Sequence, residues 1–220
     1  MNNTLKDRTP QELAERTYRY AKARLHRPGL VDRAIPLVVN ASSQIDELRD
    51  VVQSRGVEFA CRPGCAYCCT LRVDATSPEI FRIARHLKEK GNVEKITRTL
   101  AEYSEKVHGL KLQDHYETCV FLSDGLCSIY DHRPASCRKY FSMDVEICKT
   151  LDDPVPENAE MRYKSDAILQ GLSTAMDESG ATGQLHELGQ SLYIAITQDD
   201  VESRWGRGEV VFPRAPESAR

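Results

Sequence analysis

The run Cys61-Arg62-Pro63-Gly64-Cys65-Ala66-Tyr67-Cys68-Cys69 sets four cysteines in the spacing C-x3-C-x2-C-C. Thiolates are soft, anionic donors, and so short a segment cannot hold four of them together unless a positive centre sits among them. Downstream, across a helical insert, stand Cys119, Cys127, Cys137 and Cys148, and all 8 cysteines of the chain fall in one of these two groups. The second group is more widely spaced and reads as the far wall of the same site. The centre is expected to be a zinc or iron ion, or an iron–sulfur cluster. Adjacent Cys68 and Cys69 add a geometric condition, because neighbouring side chains on an extended backbone face opposite ways. Either the backbone turns sharply there or the two thiols serve different metal centres. Eight thiols could fill two four-coordinate zinc sites, or hold a cubane cluster with ligands left over.

The rest of the composition narrows the setting. At 220 residues and 24.9 kDa the chain is long enough to bury a core without disulfide support. Its first residues, Met1-Asn2-Asn3-Thr4-Leu5-Lys6-Asp7-Arg8, are polar and lack the apolar stretch of a secretory signal, and no later run is apolar enough to span a bilayer. A soluble, cytoplasmic protein is expected, and in that reducing compartment clustered cysteines are metal ligands or catalytic groups more often than disulfides. A formal net charge of -3, with both signs interspersed, argues neither for nucleic acid nor for a membrane surface, and neither partner is expected. A metal ion is the partner the residues indicate; no protein partner is legible.

Around the cysteines the pattern is helical. Thr9-Pro10-Gln11-Glu12 is a capping box with proline at the first helical position, opening a charged helix that stops before Pro28-Gly29. A second helix is expected from Val31 to Ser54, with a kink or break at Pro36 and an apolar face of Ile45, Leu48, Val51 and Val52. Pro63-Gly64 supplies a turn inside the first cysteine group, and Leu71 to Ala75 reads as a linker. Thr76-Ser77-Pro78-Glu79 starts a further helix, and Val93, Ile96, Leu100, Tyr103 and Val107 mark the apolar side of another. Ser123-Asp124-Gly125 between two short apolar runs predicts a small hairpin presenting Cys119 and Cys127, and Arg133-Pro134 opens a turn or short helix carrying Cys137. Two more helices are expected over Glu157–Met176 and Gln184–Thr197, with Trp205 as a packing anchor.

The fold class is therefore mainly α: a helical domain with a cysteine-rich metal-binding loop region and one small β-hairpin. The expected divisions are an N-terminal helical brace over 1–56, a cysteine-cluster metal-binding domain over 57–150, C-terminal helices packing on it over 151–212, and a disordered tail over 213–220, all in one compact unit. Arg62, Arg72, Arg133, Arg138 and Lys139 lie beside the cysteines, where they can offset thiolate charge and donate hydrogen bonds to sulfur. His115 and His132 are candidates to replace a thiolate, although a histidine near a cysteine is more often a polar neighbour.

The words C-x3-C-x2-C-C, then C-x-F-L (Cys119 to Leu122), G-x-C-x-I-Y (Gly125 to Tyr130) and R-P-x-x-C-R (Arg133 to Arg138) resemble the YkgJ-type cysteine cluster family. The resemblance covers about Cys61 to Cys148, with Val120 where the family often has proline. It implies a zinc- or iron-chelating domain whose ligands come from Cys61, Cys65, Cys68, Cys69, Cys119, Cys127, Cys137 and Cys148. A related cysteine-rich region occurs in flagellin lysine methylases, which keeps an enzyme as the alternative. Cys61-x3-Cys65-x2-Cys68 also resembles the cluster-binding triplet of radical S-adenosylmethionine enzymes. Against that alternative, such enzymes need repeated strand–helix units, and this chain shows helices and one hairpin.

Overall fold

In the computed structural model the described residues are 5–26, 29–91, 93–151 and 154–213. The expected disordered tail, apart from Pro213, lies outside them, as do Pro28 and Asp152. In chain order they form α1 (Pro10–Lys22), α2 (Leu30–Ser54), β1 (Asp74–Thr76), α3 (Ser77–Glu89), α4 (Val93–Val107), β2 (Leu122–Ser123) and β3 (Leu126–Cys127). Then follow α5 (Ala135–Lys139), α6 (Val145–Thr150), α7 (Ala159–Glu178), β4 (Leu185–Glu187), α8 (Leu188–Thr197) and α9 (Val201–Gly206). The protein is mainly α, as expected, with two small antiparallel two-stranded sheets among the described residues. No described helix is long and apolar enough to cross a membrane.

The chain divides into two compact units, each assembled from two separated stretches. The first comprises 1–65 and 135–183, the second 66–134 and 184–220. In the first unit, α1 starts on the expected box: the Thr9 amide donates to Glu12 Oε2 at 2.8 Å, and the Glu12 amide donates to Thr9 Oγ1 at 3.2 Å. Its buried residues, Leu13, Thr17 and Ala21, recur at a spacing that puts them on one face, and this face packs on α7. The crossing is close enough that a Cβ on Gly171 of α7 would stand 2.2 Å from the Ala14 carbonyl oxygen. α2 runs through Pro36 without a break. The lost amide and the ring clash cost about 3 kcal/mol, but Ala34, Leu37, Val38, Ala41, Ile45, Leu48 and Val52 are buried on both sides of the proline. At roughly 1.5–3 kcal/mol for each large apolar side chain buried, the helix outlasts the proline.

Two short loops join this core near the first cysteines. The Ala60 amide donates to the Ser142 carbonyl at 2.9 Å, and the Met143 amide to the Pro156 carbonyl at 2.8 Å. Phe59 packs on Phe141 with ring centroids 4.9 Å apart.

In the second unit β1 pairs with β4 (Asp74↔Glu187, Ala75↔His186, Thr76↔Leu185), and each strand runs straight into a helix, α3 or α8. Both α3 and α4 pack on α8. This ladder corrects two expectations. The linker at Leu71–Ala75 ends in a strand, and the last long helix begins at Leu188, not Gln184, because residues 185–187 hydrogen-bond across to β1. Phe81, Trp205 and Phe212 form an aromatic core, with Trp205 edge-on to Phe81 at 5.6 Å and 1% exposed, which bears out its role as an anchor. The hairpin is present as β2–β3, with Leu122 opposite Cys127. Asp124 (φ 52) and Gly125 (φ 76) both sit in the left-handed region, as a two-residue type I′ turn requires.

Candidate metal centre

The units divide the cysteines. Cys61, Cys65, Cys137 and Cys148 belong to the first, and Cys68, Cys69, Cys119 and Cys127 to the second. All eight are free thiols; Cys148 is buried and the others are half-buried.

In the first unit Cys61 and Cys65 flank the expected turn. The Cys65 amide donates to the Arg62 carbonyl at 2.9 Å, and Gly64 adopts φ 86, which the third position of a type II turn needs. The Ser142 amide donates to Cys61 Sγ at 3.4 Å, so the second cysteine loop reaches the first. Cys137 rides on α5, which packs against α2 and α7, and Cys148 on α6, with its thiol donating to the Asp144 carbonyl at 3.3 Å. Burial pushes the Cys61 thiol pKa above its usual value; the Ser142 N–H partly offsets this, and the negative charge of Cys65 and Cys148 adds to it.

In the second unit a 3-10 turn over Tyr67–Thr70 carries Cys68 and Cys69. The sharp turn is the outcome at this adjacent pair: the Cys69 amide bonds to the Ala66 carbonyl at 3.0 Å and the Leu71 amide to the Cys68 carbonyl at 3.1 Å. A hydrogen bond with the Cys68 thiol pulls the Cys69 pKa down to about 7, against burial. The Cys69 carbonyl in turn accepts from the Cys119 amide at 2.7 Å, and the hairpin carries Cys127 back towards Cys119. Burial pushes the Cys119 thiol up to about 11; the Phe121 N–H opposes this, while Cys69, Cys127 and Glu187 reinforce it.

Beside Cys119 lies a polar network that the sequence did not announce. Cys119, Tyr103 and Glu187 line one small cavity. The Tyr103 hydroxyl donates to Glu187 Oε1 at 3.1 Å and stands 2.8 Å from His115 Nε2. With the hydroxyl proton given to the carboxylate, His115 contributes Nε2–H as donor, which commits that nitrogen to tyrosine. Glu187 also caps α8, accepting from the Gly189 and Gln190 amides at 3.0 and 2.6 Å. Tyr103 had been legible only as a core-facing residue of α4, and Glu187 only as part of a helix.

The other candidate groups have partners of their own. His132 stacks on His86 with ring centroids 3.7 Å apart, and burial lowers both imidazole pKa values. Arg138 pairs with Asp46 at 2.5 Å, Lys139 with Asp166 at 2.5 Å and Arg72 with Asp74 at 2.8 Å. Arg133 lies over the Tyr130 ring at 3.7 Å, and Arg62 is exposed.

Residues 60–162 match a family model, CxxCxxCC, described as "Putative zinc- or iron-chelating domain". This model is that of the YkgJ-type cysteine-cluster family, and the match covers a little under half of the chain. No curated protein and no solved structure matches the chain. The CxxCxxCC match supports chelation of zinc or iron; it lends no support to iron–sulfur, flagellin methylase or S-adenosylmethionine chemistry.

The donors present suit a soft or borderline cation. They are thiols not joined to one another, and negative charge on neighbouring sulfurs adds to the burial that raises the Cys61 and Cys119 pKa values. A cation among them removes that repulsion. Among the described residues no three His, Cys, Asp or Glu side chains stand together as a coordination set.

Proposed function

We propose that this protein binds zinc or iron through the cysteine thiolates of its CxxCxxCC domain, and that the ion ties loops distant in sequence to one another. The observation that carries this reading is the crowding at Cys119. Its thiol is half-buried, is pushed up to about 11 mainly by that burial, and has the sulfurs of Cys69 and Cys127 among the further causes. Such a thiol is costly to ionise unaided, and a divalent cation makes its deprotonated form the stable one.

The chain's own residues prepare the site. The Ser142 N–H supports negative charge on Cys61, and the bond between the Cys119 amide and the Cys69 carbonyl fixes the approach of two cysteine loops. The turn at Arg62–Cys65 and the hairpin at Asp124–Gly125 set the spacing of the remaining sulfurs. A bound ion would supply cross-linking of these loops, the work a disulfide does in an oxidising compartment.

The test is metal content. The full chain, purified without oxygen, is expected to contain stoichiometric zinc or iron by elemental analysis, without acid-labile sulfide, and to lose thermal stability when a chelator strips the ion. A chain that carries no metal, and that takes up neither Zn2+ nor Fe2+ when supplied, overturns the reading.

A further inference from the structure

His86 and His132 come from different elements, and the fold lays one imidazole on the other. His86 stands in the last turn of α3, and His132 ends a 3-10 turn over Tyr130–His132. Their ring centroids are 3.7 Å apart with the planes 14° from parallel, and both residues are half-buried. We infer that this stack is an acid-sensitive latch: it holds the segment 128–134 on α3 while at least one ring is neutral, and releases it once both are protonated. Such a latch needs no bound ion, and every group that forms it belongs to one unit.

Three features of the pair make a second proton costly. At this separation no water fits between the rings, so two imidazolium charges would face each other unscreened. The fixed charges facing the pair already balance: Arg82 and Lys90 of α3 stand against Glu89 of α3 and Asp131 of the turn, which leaves no carboxylate over for an added proton. His132 Nδ1 is buried without a hydrogen-bond partner, so a proton placed there meets no acceptor. Burial is the first cause that lowers both imidazole pKa values, followed by Lys90 for His86 and by His86 itself for His132.

The segment is placed to respond. Arg82 Nη2 donates to the Asp131 carbonyl at 2.9 Å, a further tie from α3 to the turn. The His132 and Arg133 amides bond inward, to the Ile129 and Tyr130 carbonyls at 2.8 and 3.4 Å, and Arg133 lies over the Tyr130 ring. These inward contacts shape the turn without fastening it to the helix. Repulsion between two imidazolium rings acts along the line from turn to helix. The stretch after Cys127, outside any strand or α-helix, is the part that gives way.

The experiment follows amide hydrogen exchange by mass spectrometry in the full chain as purified, at about pH 7 and about pH 5, with rates corrected for the intrinsic effect of pH. Peptides covering 128–134 are expected to exchange about tenfold faster at the lower pH, against a smaller change in β1 and β4 of the same unit. His86→Phe keeps an aromatic face on His132 but cannot take a proton, so its corrected exchange over 128–134 is expected to be the same at both pH values. Acceleration of equal size in His86→Phe overturns the latch, since loosening caused by cysteine protonation or metal loss would persist there. A native chain with no acceleration over 128–134 overturns it as well.

Because the variant can fail to fold, a second measurement keeps the native sequence. Imidazole resonances of the full chain are followed by NMR from about pH 8 to about pH 5. His86 and His132 are expected to titrate in two separate steps, both below the exposed His26 and His108, because the first proton opposes the second. A single step shared with His26 and His108 rejects the inference.

Discussion

Replacing Glu187 with alanine tests how the second unit holds its cysteine loops. The carboxylate is 5% exposed and does two jobs: it caps α8 through the Gly189 and Gln190 amides, and it accepts the Tyr103 hydroxyl beside Cys119. Loss of the cap costs about 0.5–2 kcal/mol. Loss of a buried hydrogen bond to an ionised acceptor costs about 1.5–3 kcal/mol. The two share one side chain and are not strictly additive, so Glu187→Ala is expected to destabilise the unit by about 2–4 kcal/mol. With a urea slope of about 2 kcal/mol/M the midpoint falls by roughly 1–2 M. Trp205 is the chain's single tryptophan and lies in the core of this unit, so its fluorescence reports the transition directly. Glu187→Gln retains one acceptor oxygen and is expected to recover part of the loss. An alanine variant within about 0.5 kcal/mol of the native chain refutes the reasoning.

Other perturbations have equally definite signs. Gly171→Ala gains about 1 kcal/mol of helix propensity, but its Cβ meets the Ala14 carbonyl at 2.2 Å, so overpacking of about 1–3 kcal/mol wins and chemical denaturation shows a less stable first unit; an increase in stability contradicts the α1–α7 packing. For the metal-free chain, Cys119 titrates at about 11 when folded against an ordinary 9.0. The folded state then holds the proton more tightly, so that stability is complete below about pH 9 and is lost as pH rises towards 11. The metal-loaded chain, already deprotonated at sulfur, is expected to lack this loss, which a pH series of thermal melts with and without Zn2+ checks. The stacked His86 and His132 both have imidazole pKa values below the ordinary 6.5. Their contribution is present above that value and is lost as pH falls, so the urea midpoint of the second unit should be lower at about pH 5 than at pH 7, and an unchanged midpoint rejects the stacking account.

Features with a local cause were legible in the residues. The boxes at Thr9–Glu12 and Thr76–Glu79 announce α1 and α3 because cap and partner lie within one turn. Asp124-Gly125 announces the hairpin because the turn itself demands left-handed backbone. Pro36 misled as a break because its cost is local while the compensating burial comes from helices far along the chain. The β1–β4 ladder was invisible for a related reason: three-residue strands have too little alternation to register, and their pairing joins Asp74 to Glu187 across the whole insert. The cysteines themselves could be found by counting. Which of them share a unit could not, because Cys65 and Cys68 are close in sequence and only the tertiary course of the chain sends them to different cores. The Tyr103–His115–Glu187 network had no sequence signal, since each member comes from a different element.

The chain passes between the cores three times, after Cys65, Pro134 and Gly183, and this constrains how the protein can be built. The matched stretch, 60–162, begins just before the chain first changes core and ends within α7. Excised at those bounds it would lack α1, α2, α8 and most of α7, so a truncation carrying all eight sulfurs would have neither hydrophobic interior to set them on. During synthesis the same constraint becomes one of timing. α2 leaves the ribosome long before α7 exists to cover it, and β1 must wait for β4. Every thiol is thus translated before either half is finished, and the nascent chain carries its whole complement of sulfur exposed until the last helices arrive.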